Sequence, residues 1–206
     1  MGQDPRLSPF ILKEQCIAQW SRRRLGRLQH ERRVLALADE LFRLLRPLHG
    51  LGAFHRRILR SAALVHDVGR AVNDRRHPQL GCAMLRTDRF LPLTPVERRA
   101  LMYLTRYHRG AVPEVGFDDI LESTDPRRPL RTVLAILRAA DALDGRQHHP
   151  PIIRFKLRED RLKIRVELVD DTRRARKFFS RRKKFRLLEE LLDVKVETSL
   201  RAAAVA

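Results

Sequence analysis

The spacing of hydrophobic residues changes once along this chain, and that change constrains the fold more than any other feature. From about residue 11 to residue 146, apolar side chains recur three and four residues apart, which is typical of amphipathic helices. After the segment 148–151, two short runs alternate apolar and polar residues and are rich in β-branched side chains, which is typical of strands. We therefore predict a helical domain over residues 1–146 and a small α+β subdomain over residues 147–206.

Start and stop signals place the helices and strands within this mainly α fold. The first domain should hold a long helix through 34–48 that ends near Pro47 and a buried helix over 58–68 that Gly69 could end. It should also hold a helix that begins at His77-Pro78, one over 98–107 behind a capping box at 94–97, and one over 130–143 that ends near Gly145. The second domain should hold a β-hairpin over 152–157 and 162–168 with a polar turn at 158–161, then a helix over 178–192 and a strand over 194–198.

Charge and composition narrow the class of protein. The 206 residues carry a formal net charge of +19 at pH 7, which predicts affinity for polyanions such as nucleic acid, nucleotides, polyphosphate or an acidic membrane. The longest stretch without a charged residue has nine residues, whereas a transmembrane helix needs about 20, so we expect no membrane span and no membrane partner. The first residues lack the apolar segment of a secretory signal, so we expect a cytoplasmic protein.

The pair His66-Asp67 is the first sign of chemistry, because it stands at the end of a buried apolar helix. A buried aspartate is costly unless an ion pair or a metal ion compensates it, and a histidine beside a carboxylate is a suitable pair of metal ligands. A lone histidine there would more often be a satisfied core residue. Further candidates lie at helix ends or on inward faces, and they are His30, His77, His108 and Asp141. The ordered set across five helices indicates a metal centre.

Short strings around these residues resemble a known superfamily. His30, then His66-Asp67, then Asp141 match the pattern of the HD-domain metal-dependent phosphohydrolases. Over residues 14–200 the chain resembles, more narrowly, the C-terminal HD region of the Ppx/GppA family, the exopolyphosphatases and guanosine-pentaphosphate phosphohydrolases. The strings that carry this resemblance are His30-Glu-Arg-Arg-Val34, Leu41-Phe42, Leu48-His49-Gly50-Leu51, Ala62-Ala-Leu-Val-His-Asp-Val-Gly69, Arg106-Tyr-His-Arg-Gly110 and Leu137-Arg-Ala-Ala-Asp-Ala-Leu-Asp144.

The resemblance implies an HD-domain helical bundle with a small C-terminal α+β appendage of a hairpin, a helix and a strand. It also implies one or two divalent metal ions, and the ligand types are compatible with Mn, Fe, Mg, Ni or Zn. The implied ligands are His30, His66, Asp67 and Asp141 for a first ion, with Asp67 bridging to a second ion held by His77 and His108. Such ions polarise phosphoryl oxygens and lower the pKa of bound water, so Asp67 is implied to be catalytic.

Three arginines near these ligands are expected to bind substrate phosphate, and they are Arg70, Arg106 and Arg109. Arg70 stands where some HD subfamilies have lysine, and we expect a catalytic part for it too. Because arginine stays protonated, Arg70 could clamp a phosphate but could not act as a base. Asp144 either orients a metal ligand from behind or is an ordinary acid at the end of a helix, and the sequence leaves both readings open.

A basic cluster without acidic residues lies between residues 173 and 186, with phenylalanines interleaved. Its candidate polyanion-binding residues are Arg173, Arg174, Arg176, Lys177, Arg181, Arg182, Lys183 and Lys184. The cluster either binds polyanions through their phosphate charge or forms a solvated face over an aromatic anchor in the core. No helix-turn-helix, zinc-finger or RNA-recognition signature is present in the sequence, so we expect no sequence-specific nucleic-acid binding.

Two functions of different classes follow from these features. In the full-length family, phosphatase activity belongs to an N-terminal actin-like half for which this sequence has no room. The favoured hypothesis is a metal-dependent phosphohydrolase that acts on a phosphate ester or anhydride, such as a nucleotide, guanosine polyphosphate or polyphosphate. The alternative is a non-catalytic regulatory module that binds polyphosphate, nucleotide or RNA. The resemblance also makes a homodimer plausible.

Overall fold

The fold is a helical bundle followed by a small sheet with short helices, as seen in a computed structural model that describes residues 9–203. The helices of the bundle are α1 (Pro9–Leu25), α2 (Gln29–Leu44), α3 (Arg46–His49), α4 (Ala53–Val65), α5 (His77–Thr87), α6 (Pro95–Tyr107) and α7 (Arg127–Asp144). The elements that follow are β1 (Ile152–Arg158), β2 (Arg161–Leu168), α8 (Arg173–Phe179), α9 (Arg186–Leu192) and β3 (Lys195–Ala202). The predicted fold class, mainly α with a small α+β appendage, is confirmed.

The long helix predicted through residue 48 is two helices, because Pro47 cannot sit in a helix interior. A proline ring removes a backbone donor and clashes with the preceding turn, but it fits the first turn of a helix. The chain accordingly leaves α2 at Leu45, and Pro47 lies in the first turn of α3. Gly50 then ends α3 in the left-handed conformation, with φ +63°.

The segment after α4 brings the His66-Asp67 pair against the start of α5. Helix α4 ends at Val65, and a 3₁₀ turn, Val68–Ala71, follows the pair. Gly69 in this turn lies so close to α5 that a Cβ there would be 2.1 Å from the carbonyl oxygen of His77. Only glycine permits this approach, which places Asp67 next to the first residue of α5.

The predicted ends of α6 and α7 agree with the structure. Thr94 and Glu97 form the capping box of α6, since the Thr94 amide donates to the Glu97 carboxylate and the Glu97 amide donates to the Thr94 hydroxyl. Helix α7 ends at Gly145, which has φ +54°. Arg146, the next residue, also has a positive φ of 53°, so two successive left-handed residues turn the chain sharply back over the end of α7.

The helix predicted over 178–192 is wrong, because the structure forms α8 and α9 with a 3₁₀ turn, Arg182–Lys184, between them. One continuous helix would place like charges three and four residues apart on the same face, at Arg181 and Lys184 and at Arg182 and Arg186, and such pairs repel each other. Helix α8 also begins earlier than predicted. The hydroxyl of Thr172 caps it by accepting from the amide of Ala175 at 3.1 Å.

The sheet has the order β1-β2-β3, with β1 and β2 antiparallel and β3 parallel to β2. Alternate residues of β2, from Leu162 to Leu168, are buried, and they belong to one apolar core that continues into the helical bundle. That shared core holds the C-terminal elements against α7. The division into domains at 146 and 147 stays a prediction.

Among the described residues 9–203, none of the helices combines the length and the hydropathy that crossing a membrane requires.

Candidate metal centre

Four buried histidines direct their Nε2 atoms toward Asp67, between the helix ends. Each of them uses its other ring nitrogen, Nδ1, for a hydrogen bond to the surrounding protein. The acceptors are Asp144 Oδ2 for His30 (2.5 Å), Ala63 O for His66 (2.9 Å), Asp74 O for His77 (2.6 Å) and Thr105 O for His108 (2.7 Å). Because these oxygens only accept, Nδ1 carries the proton and Nε2 keeps a lone pair for a cation, as in metal-binding histidines.

The Nε2 atoms meet in two close pairs. His30 Nε2 lies 3.2 Å from His66 Nε2, and His77 Nε2 lies 3.0 Å from His108 Nε2. Two lone pairs at such distances repel each other unless a proton or a metal ion lies between them. The arrangement therefore requires a positive charge at each pair.

Asp67 lies between the two histidine pairs and offers one carboxylate oxygen to each. Its Oδ1 is 3.0 Å from His77 Nε2 and 3.3 Å from His108 Nε2. Its Oδ2 is 3.5 Å from His30 Nε2 and 3.6 Å from His66 Nε2. This is the geometry of a carboxylate that can bridge two cations.

Asp141 completes the first of these two groups. Its Oδ1 is 3.3 Å from His30 Nε2 and 3.7 Å from His66 Nε2. Among the described residues, Asp141 Oδ1 and Asp67 Oδ1 are buried and have no hydrogen-bond partner. A buried carboxylate oxygen without a partner is costly, and a metal ion would satisfy it. The imidazole and carboxylate donors suit a divalent ion, so the residues present fit the group.

The ionisation of the site follows from this arrangement. Burial raises the pKa of Asp67 and of Asp141, but the surrounding histidines outweigh it and hold both pKa values below the usual range. Burial lowers the pKa of His66, but Asp67 and Asp141 outweigh it and raise the pKa to about 9. Burial lowers the pKa of His108. Both carboxylates are thus ionised at neutral pH, and His66 keeps a proton that a metal ion would replace.

The chain that builds this centre matches one protein family. A family model described as Ppx/GppA phosphatase, domain III, matches residues 25–181, which is about three quarters of the chain. The chain belongs to this family. The resemblance to the C-terminal region of the Ppx/GppA family is therefore confirmed. The search of curated proteins found no match.

All the candidate ligands lie inside the segment that matches Ppx/GppA domain III, and the helices of this domain explain their position. His30 lies in the first turn of α2 and His77 begins α5, while His66, His108 and Asp141 lie at or near the ends of α4, α6 and α7. Helix ends from five elements therefore converge on Asp67. The ligand roles themselves stay a prediction.

Asp144 lies behind His30. This is the position expected if Asp144 orients a metal ligand, which is one of the two interpretations that the sequence leaves open. Its Oδ2 accepts from His30 Nδ1, and Arg33 holds the same carboxylate through Nε and, at 3.2 Å, through Nη2. Burial raises the pKa of Asp144, but its bonds to His30 and Arg33 outweigh this and lower it. An ionised Asp144 fixes the ring of His30 in the orientation that presents Nε2 to the centre.

The predicted phosphate-binding arginines lie in three different places. Arg70 Nε donates to Asp67 Oδ2 at 2.9 Å, and the same side chain pairs with Asp74, so Arg70 lies against the centre. Arg109 Nε is 3.5 Å from Asp141 Oδ2. The guanidinium of Arg106 lies 5.2 Å from the ring of Tyr107. Arg106 is not one of the residues that line the described cavities beside the centre.

A cavity of about 380 Å³ adjoins His108 and Asp141, and we call it the metal-side cavity. Its cationic lining residues are Arg109, Arg138 and Lys184. Lys184 comes from the predicted basic cluster, yet it is half-buried, with Nζ 3.3 Å from the ring centre of Phe178 and 3.2 Å from the carbonyl oxygen of Ala142. Burial lowers its pKa to about 8.

Sequence reasoning missed Arg146 and Glu31. Arg146 reaches Asp67 Oδ2 through both Nε, at 2.9 Å, and Nη2, and its Nη2 also donates to Glu31 Oε1 at 2.9 Å. Glu31 is buried beside His30 in α2. The signal for Arg146 is its place directly after Gly145, the glycine that ends α7, but only the backbone turn shows that the side chain points back to Asp67.

The rest of the basic cluster divides into paired and unpaired side chains. Arg176 is bound to Asp171 at 2.5 Å, and Arg182 is bound to Glu189 at 3.0 Å. The other exposed members form no side-chain hydrogen bond or ion pair within the described part of the chain, and they are Arg173, Arg174, Lys177, Arg181 and Lys183.

Proposed function

We propose that this Ppx/GppA domain III chain is a divalent-metal-dependent phosphohydrolase that acts on a phosphate ester or anhydride. The substrate class is a nucleotide, a guanosine polyphosphate or polyphosphate. The observation that carries the proposal is the position of Asp67, whose two oxygens face separate pairs of histidine Nε2 atoms beside a cavity lined by cations.

In this proposal, His30, His66, Asp67 and Asp141 would hold one ion, and Asp67, His77 and His108 would hold a second. Mn, Fe, Mg, Ni and Zn are all compatible with these ligands. Bound ions would supply Lewis-acid stabilisation of phosphoryl oxygens and an activated water.

The protein's own side chains bind and orient the substrate in this proposal. Arg109 and Lys184 present N–H groups to the metal-side cavity, where they would neutralise charge on phosphoryl oxygens. Arg138 instead donates to the carbonyl oxygens of Tyr107 and Gly110, so it shapes the wall of the cavity. Asp144 keeps His30 in its orientation.

A second candidate function is supported by the unpaired cations of the basic cluster. A non-catalytic module that binds polyphosphate, nucleotide or RNA would use Arg174, Lys177 and Arg181, whose charge no acidic side chain compensates within the described residues. Such binding would be steeply salt-dependent and would survive replacement of Asp67. A cytoplasmic location, a homodimer and the absence of sequence-specific nucleic-acid binding stay predictions.

The test is a phosphate-release assay on the metal-loaded protein with nucleotides, guanosine tetraphosphate and polyphosphate as substrates. Asp67→Asn removes the bridging carboxylate, and Asp39→Asn is a matched control, because Asp39 is also buried but pairs with Arg56 away from the centre. We expect metal-dependent release by the wild type and the control and a loss of about 100-fold or more in Asp67→Asn. The proposal fails if the wild type releases no phosphate with any of the metals, or if Asp67→Asn keeps full activity.

A further inference from the structure

A second cavity, of about 600 Å³, lies between the turn after α7 and helix α8, and we call it the basic cavity. Its charged and aromatic lining residues are Arg146, His148, Arg174, Lys177, Phe178 and Arg181. No acidic side chain lines it among the described residues. Its size is that of a small-molecule site rather than of a flat binding face.

Three of the four arginine and lysine side chains that line this cavity lack counter-charges among the described residues. Arg174, Lys177 and Arg181 form no side-chain hydrogen bond or ion pair with any described residue, although their neighbours Arg176 and Arg182 are paired with acids. Positive side chains that converge on a concave surface repel each other and concentrate anions from solution. Three unpaired cations therefore line the same concave surface, beside Arg146, whose charge is compensated by Asp67 and Glu31.

The basic cavity is also next to the metal centre. Gly145 and Phe178 line both this cavity and the metal-side cavity. Arg146, which also lines the basic cavity, donates a hydrogen bond to the carboxylate of Asp67. A Cβ at Gly145 would lie 2.3 Å from the Phe178 ring, so α8 packs directly on this turn. The packing fixes the position of the α8 cations relative to Arg146.

We propose that the basic cavity is a binding site for a small molecule that carries two or more phosphoryl groups. Guanidinium groups bind phosphoryl oxygens through two parallel hydrogen bonds, and lysine adds a compact charge. Three unpaired cations together with Arg146 match a ligand with several negative charges better than a phosphate monoester. The cavity is a site in its own right, because none of its lining residues is a candidate metal ligand and the proposal holds whether or not the centre is catalytic.

The test is calorimetric titration of the metal-free 206-residue chain with inorganic tripolyphosphate at about 0.15 M salt, where diffuse electrostatic attraction is largely screened. The double variant Lys177→Gln/Arg181→Gln removes two cations that line the cavity. The control, Arg173→Gln/Lys183→Gln, removes the same charge from the same segment, at exposed unpaired residues that do not line the cavity. Because all four side chains are exposed, both variants should fold, and circular dichroism checks this.

We expect the first double variant to bind tripolyphosphate at least about tenfold more weakly than the wild type, and the control to change by less than about twofold. Equal losses in the two variants would show a diffuse charged surface, such as one that attracts RNA, and would overturn the proposal. No binding by the wild type would overturn it too. Since no metal is present, neither result depends on the proposed hydrolase activity.

Discussion

Replacing Arg146 with methionine should tighten metal binding. The Arg146 guanidinium is hydrogen-bonded to Asp67, the carboxylate that lies between the two groups of candidate ligands. Arg146 donates to Asp67 Oδ2 through two nitrogens and to Glu31 through one. A divalent ion at Asp67 Oδ2 must either displace this cation or bind beside it. Methionine keeps much of the apolar stem and removes the charge.

The magnitude follows from the bonds that the metal must replace. A hydrogen bond between charged groups contributes about 1.5–3 kcal/mol net, and the Arg146 side chain is 35% exposed, so we take the lower end for its contact with Asp67. About 1.5–2 kcal/mol corresponds to a dissociation constant for Mn²⁺ that is about 10- to 30-fold lower. The variant also frees Glu31, which adds negative charge beside the centre.

The assay is calorimetric titration of metal-stripped protein with Mn²⁺, with Arg174→Met as the control. Arg174 lines the basic cavity beside Arg146 but has no carboxylate partner, so its variant should change the affinity by less than about twofold. The metal-free Arg146→Met protein should also unfold at a lower temperature, because buried Asp67 loses a compensating cation. An unchanged or weaker Mn²⁺ affinity in Arg146→Met would refute the reasoning.

Three further predictions concern the residues that support the site. Asp144→Asn should weaken Mn²⁺ binding by about 10- to 100-fold, because His30 loses its ionised partner; calorimetry that shows no change would contradict this. Gly69→Ala should destabilise the protein by about 1–3 kcal/mol or more in urea unfolding, since its Cβ would meet the His77 carbonyl at 2.1 Å, and a change below about 0.5 kcal/mol would count against the described packing. Although burial lowers the pKa of His66, the nearby carboxylates raise it to about 9, so the metal-free protein should lose up to about 3 kcal/mol of stability as the pH rises from about 6.5 to 9. Denaturant unfolding across this range should show the loss, and His66→Asn should lack it.

Local signals in the sequence predict those parts of the fold that depend on a few neighbouring residues. The capping box at Thr94 and Glu97 and the glycine after α7 gave helix ends that the structure reproduces. The alternation over 152–168 likewise predicts the hairpin. The turn consists of Glu159 and Asp160, two residues fewer than the predicted turn at 158–161. The periodicity failed at the break between α8 and α9, where a 3₁₀ turn rich in basic residues interrupts the predicted helix.

In the candidate site, too, some residues could be predicted from the sequence and others could not. Six ligand-type residues could be identified in order along the chain, and the structure brings the other five side chains together around Asp67. Arg146 and Lys184 could not be placed in this way. Arg146 reaches Asp67 because two successive residues are left-handed, and Lys184 reaches the metal-side cavity because α8 packs on Gly145. Both depend on long-range packing that a single sequence does not display.

The most direct test of the metal centre is the metal content of protein purified without chelators, measured by inductively coupled plasma mass spectrometry. Two groups of ligands joined by Asp67 predict about two divalent ions per chain in the wild type and in the buried control Asp39→Asn. Asp67→Asn should hold less than half of that amount. A wild-type protein without bound divalent metal, including after incubation with Mn²⁺, Fe²⁺, Mg²⁺, Ni²⁺ or Zn²⁺, would contradict the account.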